Sequence, residues 1–291
     1  MPSTALPPSS SKVCSADAKS LTGYNLQRGK FLKKYIDGFK KYRFLLRELV
    51  KKGIKLKYRR SYLGILWTLL EPILTTAVLT LVFSNFYGNK NRAFPVYILT
   101  GRLLYSFFST GTKTAMKSIR AHSGMIKKVY VPKYIYPLSS VIYNFIIFAI
   151  SLVVLIGAMI VFGIYPTWWT VTAIIPLILL FIFTTGVGMI LATVSVFFRD
   201  MEYLWDVALM LIMYTCAIFY DADMLLKKGN GWILKINPLY ALIKCFRDAV
   251  YGSSMFANPK WLLMPAAASV VTFVFGFWIF KKNQDKFILH I

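Results

Sequence analysis

Apolar residues in this chain come in blocks of twenty or more, separated by short polar stretches. A block of that length makes a helix that can cross a hydrocarbon core of about 30 Å. Six spans are predicted, at 63–84, 94–115, 136–162, 168–197, 201–220 and 259–280. The fourth is long and holds Pro176, which predicts a tilt or kink. Only the charged turn "RDME", residues 199–202, separates it from the fifth. Ahead of the first span the pattern changes. In "KYRFLLRELVKKGIKLKYRR", residues 41–60, Leu46, Leu49, Val50 and Ile54 recur at helical spacing, with Arg47, Lys51, Lys52 and Lys55 elsewhere on the wheel. This predicts a helix lying in the membrane interface, because the stripe is too regular for a solvated basic linker. A second amphipathic helix is predicted in "NPLYALIKCFRDAVYG", residues 237–252. Asn237 is the N-cap, Pro238 takes the first helical position, and Gly252 ends it. Leu239, Leu242, Ile243, Phe246 and Val250 form its apolar stripe, with Lys244, Arg247 and Asp248 as polar positions. The hydrophobic runs on either side of it are too short to be further spans.

The fold class that follows is an all-α membrane protein: a disordered tail (1–40), the interface helix (41–60), a six-span domain (61–282) and a short C-terminal tail (283–291). Composition agrees, with 57% hydrophobic residues and a mean hydropathy of +0.57. The first twenty residues hold six Ser and three Pro and no apolar core, which excludes a signal peptide and predicts disorder. The net charge of +24 would suggest nucleic acid in a soluble chain. Here the cations flank the apolar blocks, where they set orientation and meet anionic lipid, and no zinc-finger or RNP pattern accompanies them. Of the Lys and Arg outside the spans, 25 fall on the side of the N-terminus and seven on the other, which places both termini in the cytoplasm. Cys14, Cys216 and Cys245 make no CxxC pair and suggest neither disulfides nor a metal site.

No GxxxxGK[ST], HExxH or GxSxG pattern occurs, and His122 and His290 are isolated. The chain therefore carries no ATP site of its own, and no enzyme site is legible. Asp200, Glu202 and Asp206 are the sole candidates for a membrane-embedded glycan or lipid enzyme, and Asp200 and Asp206 do not share a helical face. Transport is favoured by two ionisable residues inside predicted spans, Glu71 and Arg102. Such residues are costly in lipid and are usually paired or functional. They lie about 12 Å and about 20 Å from the cytoplasmic ends of their spans at 1.5 Å per residue. An ion pair between them is one expectation; Arg102 snorkelling outward is the other. Pro72, beside Glu71, removes a backbone bond to the Thr68 carbonyl and predicts a kink. Aromatic residues crowd spans one and five. Tyr62, Phe86, Tyr87, Tyr203 and Tyr220 fit an interfacial belt, while Trp67 and Tyr214 lie deeper, where rings facing a pathway would stack on sugars. Residues alone leave the belt ahead of a sugar path. In loop 116–133, Met116, Ile119, Met125, Ile126, Val129 and Tyr130 sit among cations, and Gly124 is expected to break it into two short helices. Docking of a cytoplasmic partner and lipid binding both fit that loop.

Four motifs carry a family resemblance. "YRRSYLGILWTLLEPILTTAVLTLVFS" after the basic helix resembles the opening of the bacterial ABC-2 type permeases that export polysaccharides and polyol phosphates such as teichoic acid, O-antigen and capsule. "GMIKKVYVPKYIYPLSSV", "VFFRDMEYLWDVALMLIMYTCAIFY" and "INPLYALIKCFRDAVYG" resemble, in order, their later segments, so that the likeness runs from about residue 40 to 282. The resemblance implies a permease subunit in a bacterial inner or plasma membrane. Two copies would form the channel and dock two copies of a separate ATPase, which would hold ATP and Mg; the cargo would be an undecaprenyl-pyrophosphate-linked glycan or teichoic-acid-type polymer. By position it implies ATPase docking at Arg47, Lys51, Arg120, Met125, Lys127 and Tyr130. It implies head-group access at Arg59, Arg60, Arg199, Asp200 and Glu202, and a path lined by Tyr62, Trp67, Glu71, Phe83, Tyr203, Tyr214 and Phe219. The segment 224–252 would form an outer gate. Arg59 and Arg60 either meet the cargo pyrophosphate or only anchor the span to lipid phosphates. A permease for a drug, peptide or small lipid is the alternative within the same family.

Overall fold

The computed structural model describes residues 42–59, 61–87, 93–129, 131–220, 222, 231–253 and 259–290. The predicted N-terminal tail lies outside them. Every regular element among the described residues is a helix. In chain order they are α1 (Arg43–Tyr58), α2 (Trp67–Tyr87, led in by a 3-10 turn at Gly64–Leu66), α3 (Phe94–Ala121), the short α4 (Ser123–Ile126), α5 (Ile135–Val161), α6 (Trp168–Thr172) and α7 (Ile174–Phe197). There follow α8 (Met201–Thr215), α9 (Gly231–Ile236), α10 (Pro238–Val250), α11 (Pro259–Asn283), a 3-10 turn at Gln284–Lys286 and α12 (Phe287–His290). Residues 49–291 form one compact unit and residues up to Glu48 another, of which 42–48 are described as the start of α1.

Among the described residues, four stretches are long and apolar enough to cross a membrane: Gly64–Ser84, Ile135–Val161, Trp168–Phe197 and Pro259–His290. They coincide with the first, third, fourth and sixth predicted spans. The second, α3, has the length, 28 residues or about 42 Å, but Arg102, Lys113, Lys117 and Arg120 dilute its hydropathy. It tolerates them because it is the central helix, packed against α2, α5, α7, α8 and α10, and so faces protein over most of its surface. The fifth, α8, has 15 residues, about 22 Å, which is less than the hydrocarbon core. It ends where Cys216 leaves the helix and Ala217 turns at φ +46°.

Aromatic rings from three helices pack around α3. Phe107 stacks on Phe148 with centroids 5.1 Å apart, and Phe108 stacks on Phe183 at 5.4 Å. Helices α7 and α11 approach more closely still, through Gly186 and Gly276. A Cβ on Gly186 would lie 2.5 Å from the backbone nitrogen of Phe273, so only hydrogen fits there. The break between α6 and α7 falls at Ala173, where Pro176 cannot bond the Thr172 carbonyl, in line with the predicted kink. The loop at 116–133 differs from expectation. The α3 helix runs through to Ala121, the interruption is at His122 (φ −110°, ψ 17°), and Gly124 lies inside α4. His122 Nδ1 shares the Ser118 carbonyl with its own backbone N–H, at 2.8 Å, which stops the helix two residues before the glycine. The C-terminal segment is tied down by Phe287, fully buried with its ring edge-on to Phe280 at 5.2 Å.

Candidate functional site

The charged turn after α7 opens α8, and its carboxylates face α3. Glu202 pairs with Arg120 and, at 2.9 Å, with Lys117; one turn on, Asp206 pairs with Lys113 at 2.8 Å. Lys113, Lys117 and Arg120 recur at three- and four-residue spacing and so form one stripe on α3, opposite the i, i+4 pair on α8. Above this ladder Trp205 Nε1 donates to Thr112 Oγ1 at 3.0 Å and Tyr105 Oη donates to the Leu209 carbonyl at 2.8 Å. Leu209 is the buried residue of α8, so polar contacts carry much of its attachment. Glu202 and Arg120, expected in separate roles at the head-group mouth and the ATPase, are thus partners of each other. Arg199 and Asp200 remain exposed at the turn.

The predicted Glu71–Arg102 ion pair is not formed. Both side chains line one cavity of about 290 Å³, but Arg102 Nη1 points to Met213 Sδ at 4.0 Å, and Glu71 has no cation in salt-bridge range among the described residues. The reason is position along the helices, since Arg102 lies nearer the α2–α3 connection along α3 than Glu71 does along α2. The cation nearest Glu71 in effect is Lys57 at the end of α1. Burial lowers its pKa below the ordinary lysine value, and the Glu71 carboxylate partly opposes that. The Thr68 carbonyl that Pro72 orphans accepts a hydrogen bond from Ser151 Oγ of α5 at 3.0 Å. Likewise Pro265 in α11 orphans the Trp261 carbonyl, which takes Cys245 Sγ–H of α10 at 3.3 Å. Both prolines are tolerated because a neighbouring helix supplies the missing donor.

Of the expected path-lining residues, Tyr62, Trp67, Glu71, Tyr203 and Tyr214 are exposed on α2, its lead-in and α8. Phe219 is not: it is buried and stacks on Phe83 at 5.2 Å, because the chain after α8 folds back into the core. Of the expected docking residues, Arg47, Lys51 and Lys127 are exposed and Met125 is half-buried. Arg59 is exposed, while Arg60 and Tyr130 lie outside the described residues.

Helix α10 begins as predicted. Asn237 Oδ1 accepts from the N–H groups of Leu239 and Tyr240, at 3.0 and 3.4 Å, and Gly252 turns at φ +74° beyond its end. Arg247, one of the polar positions in the sequence pattern of this helix, is buried. Its guanidinium donates to the carbonyls of Tyr97 (3.0 Å) and Ala217 (3.1 Å) and to Thr100 Oγ1 (3.4 Å), and lies 3.4 Å from the centroid of the Tyr97 ring. It ties α10 to the start of α3 and to the turn after α8. Spacing held the clue: Arg247 is four residues from Ile243 and three from Val250, so it sits on the apolar stripe.

A family model for ABC-2 type transporters matches residues 45–251. The chain belongs to the ABC-2 type transporter family. This ABC-2 permease is 29% identical over 84% of its length to the O-antigen export system permease protein RfbA of Klebsiella pneumoniae, of which 93% is covered. It is 28% identical over 84% to the RfbA of Myxococcus xanthus, covering 95% of that protein. It is 22% identical over 85% to the polysialic acid transport protein KpsM of Escherichia coli, covering 96%. The matched residues include those of the α3–α8 ladder, the Glu71 cavity and the Arg247 contacts.

Proposed function

We propose that this ABC-2 permease exports a lipid-linked polysaccharide. What carries the reading is likeness along nearly the whole length of proteins named for O-antigen and polysialic acid transport. Two copies form a path between them, each with a cytoplasmic ATPase subunit that supplies the energy. The chain crosses a bacterial inner membrane six times, with both termini in the cytoplasm. The α3 helix is a span shielded by protein, and α8 is a short span completed by the turn at 216–220. The exposed aromatic faces of α2 and α8 support this use, because Trp67, Tyr203 and Tyr214 offer flat apolar rings with a polar edge to a passing sugar chain. The cargo is an undecaprenyl-pyrophosphate-linked glycan drawn from the inner leaflet. Arg59 and Arg199 stand exposed at the cytoplasmic mouth, where an arginine fork matches phosphate oxygens. In this reading Arg47, Lys51, Met125 and Lys127 each contact the ATPase. The test is reconstitution of the permease with its ATPase in vesicles. ATP-dependent movement of an undecaprenyl-pyrophosphate-linked glycan is expected. Failure of every glycan offered, with a small amphiphile moved instead, overturns the reading.

A further inference from the structure

The cavity between α2, α3 and α5 has a wall rich in hydrogen-bond acceptors, with its charged donors at two positions. Thr68 Oγ1 donates to the Ile65 carbonyl at 2.7 Å, Thr75 Oγ1 to that of Glu71 at 2.7 Å, and Thr110 Oγ1 to that of Ser106 at 2.7 Å. Ser151 Oγ–H goes to the Thr68 carbonyl, and Asn144 Nδ2 donates to Thr114 Oγ1 at 2.7 Å and the Ser140 carbonyl at 2.8 Å. A hydroxyl has one proton and an amide nitrogen two, so these groups are left with acceptor oxygens only. The Glu71 carboxylate adds two more acceptors. The donors at the cavity are the charged Arg102 guanidinium and Lys57 ammonium, with the hydroxyls of Tyr58 and Ser106 beside them. Among the described residues, Arg102 hydrogen-bonds a single sulfur at 4.0 Å, a weak acceptor that leaves most of its fork available. A second cavity, of about 530 Å³, shares Lys57, Thr110 and Asn144 with the first and continues past Lys52 and Lys117 to His122 at the end of α3. The two adjoin at these shared residues and form a crevice from the basic end of α3 toward Arg102, largely apolar in its wider part, with its charged groups concentrated at Lys57, Glu71 and Arg102.

A ligand complementary to this wall carries anionic oxygens for Arg102 and Lys57, and hydroxyl donors for Glu71 and the threonine, serine and asparagine oxygens. Inorganic phosphate carries its one or two hydroxyls on the phosphorus itself and none on a neighbouring carbon, and a cation would meet two fixed positive charges. We propose that the crevice binds a phosphate that carries neighbouring hydroxyls, the head of a sugar-phosphate or glycerol-phosphate lipid, with Arg102 and Lys57 on the phosphate and Glu71 on the hydroxyls. The inner cavity is at the small end of the range for ligand sites, about 300–1,000 Å³, and so takes one head group, not a polymer. The inference rests on the export reading only where it counts lipid-linked cargo among the occupants.

The test uses the full-length permease with its ATPase in phosphatidylcholine nanodiscs, with bound lipid quantified by native mass spectrometry. The probes are a prenyl diphosphate carrying one sugar, the bare prenyl diphosphate, and phosphatidylglycerol. R102Q and K57Q are each expected to weaken both diphosphate probes about tenfold, the loss of one charge-assisted contact. K57Q keeps the measurement meaningful should R102Q fail to fold, because Lys57 lies on α1 outside the spans. E71Q is expected to remove the advantage of the sugar-bearing probe while leaving the bare diphosphate bound. K282Q, a basic residue away from the crevice, should bind as the unmodified protein does. Displacement of the sugar-bearing probe by phosphatidylglycerol makes bulk lipid the occupant, and no displacement makes it the cargo; both uphold the site. Unchanged affinity in R102Q and K57Q, or equal loss of both diphosphates in E71Q, overturns it and shows a crevice that holds water only. Head-group binding with no glycan transport would sink the export reading and leave the site; transport with no such binding would do the reverse.

Discussion

The pairing of Pro72 with Ser151 gives the sharpest energetic prediction. Pro72 has no N–H, so the Thr68 carbonyl four residues earlier has no helical donor. Thr68 and Ser151 are both buried, and the Ser151 hydroxyl reaches that carbonyl at 3.0 Å while also lying 3.2 Å from the Ile147 carbonyl of its own helix. Replacing Ser151 by alanine leaves a buried carbonyl without a partner, which costs about 1–3 kcal/mol. Double-mutant cycles on hydrogen bonds between membrane helices average about 0.6 kcal/mol and reach about 1.7 kcal/mol. An orphaned backbone carbonyl belongs at the upper end, so S151A should destabilise by about 1–2 kcal/mol. P72A restores the backbone N–H, and in that background S151A should cost less than about 0.5 kcal/mol, a coupling of about 1 kcal/mol or fivefold in the unfolding equilibrium. The assay is reversible unfolding of the four proteins in mixed micelles by titration with denaturing detergent. S139A serves as the control, because the Ser139 hydroxyl bonds only the Tyr136 carbonyl of its own helix, at 2.8 Å. The same cost for S151A with and without Pro72 would refute the compensation argument.

Three further outcomes follow from the same contacts. Glu202 holds two cations and is about three-quarters buried at its side chain, whereas Asp206 is 57% exposed. E202Q should therefore speed amide hydrogen exchange along α8, while solvent screening keeps D206N within about 0.5 kcal/mol of the unmodified protein; equal effects would contradict the ladder as the attachment of α8. R247M keeps the volume but strands the carbonyls of Tyr97 and Ala217, for about 3 kcal/mol or more, and should lower the unfolding midpoint more than R247K, which keeps a donor. G186A forces a methyl against the backbone at Phe273 and should cost about 1–3 kcal/mol, with wild-type stability as the refuting result.

Length, period and end signals reside in contiguous residues, so the sequence by itself determined four of the spans, the α1 stripe and the start and end of α10. The apolar run of 135–161 and the Asn237-Pro238 cap needed no partner to be read. Even the interruption at Ala173 follows from Pro176, three positions on. What the tertiary structure decided is where each polar group within those helices finds its counterpart. Glu71 and Arg102 looked like partners because they share neighbouring spans, but a helix fixes the direction of a side chain and packing fixes its distance. Arg120 found Glu202, 82 residues away, and Arg247 found the Tyr97 carbonyl, 150 residues away. The hydroxyl that completes the Pro72 helix comes from α5, 83 residues on from the carbonyl it serves. In apolar surroundings an unpaired polar group is costly, so such pairings are enforced. Which pairing forms depends on helix rotation and approach, quantities set by the whole bundle and carried by no local pattern.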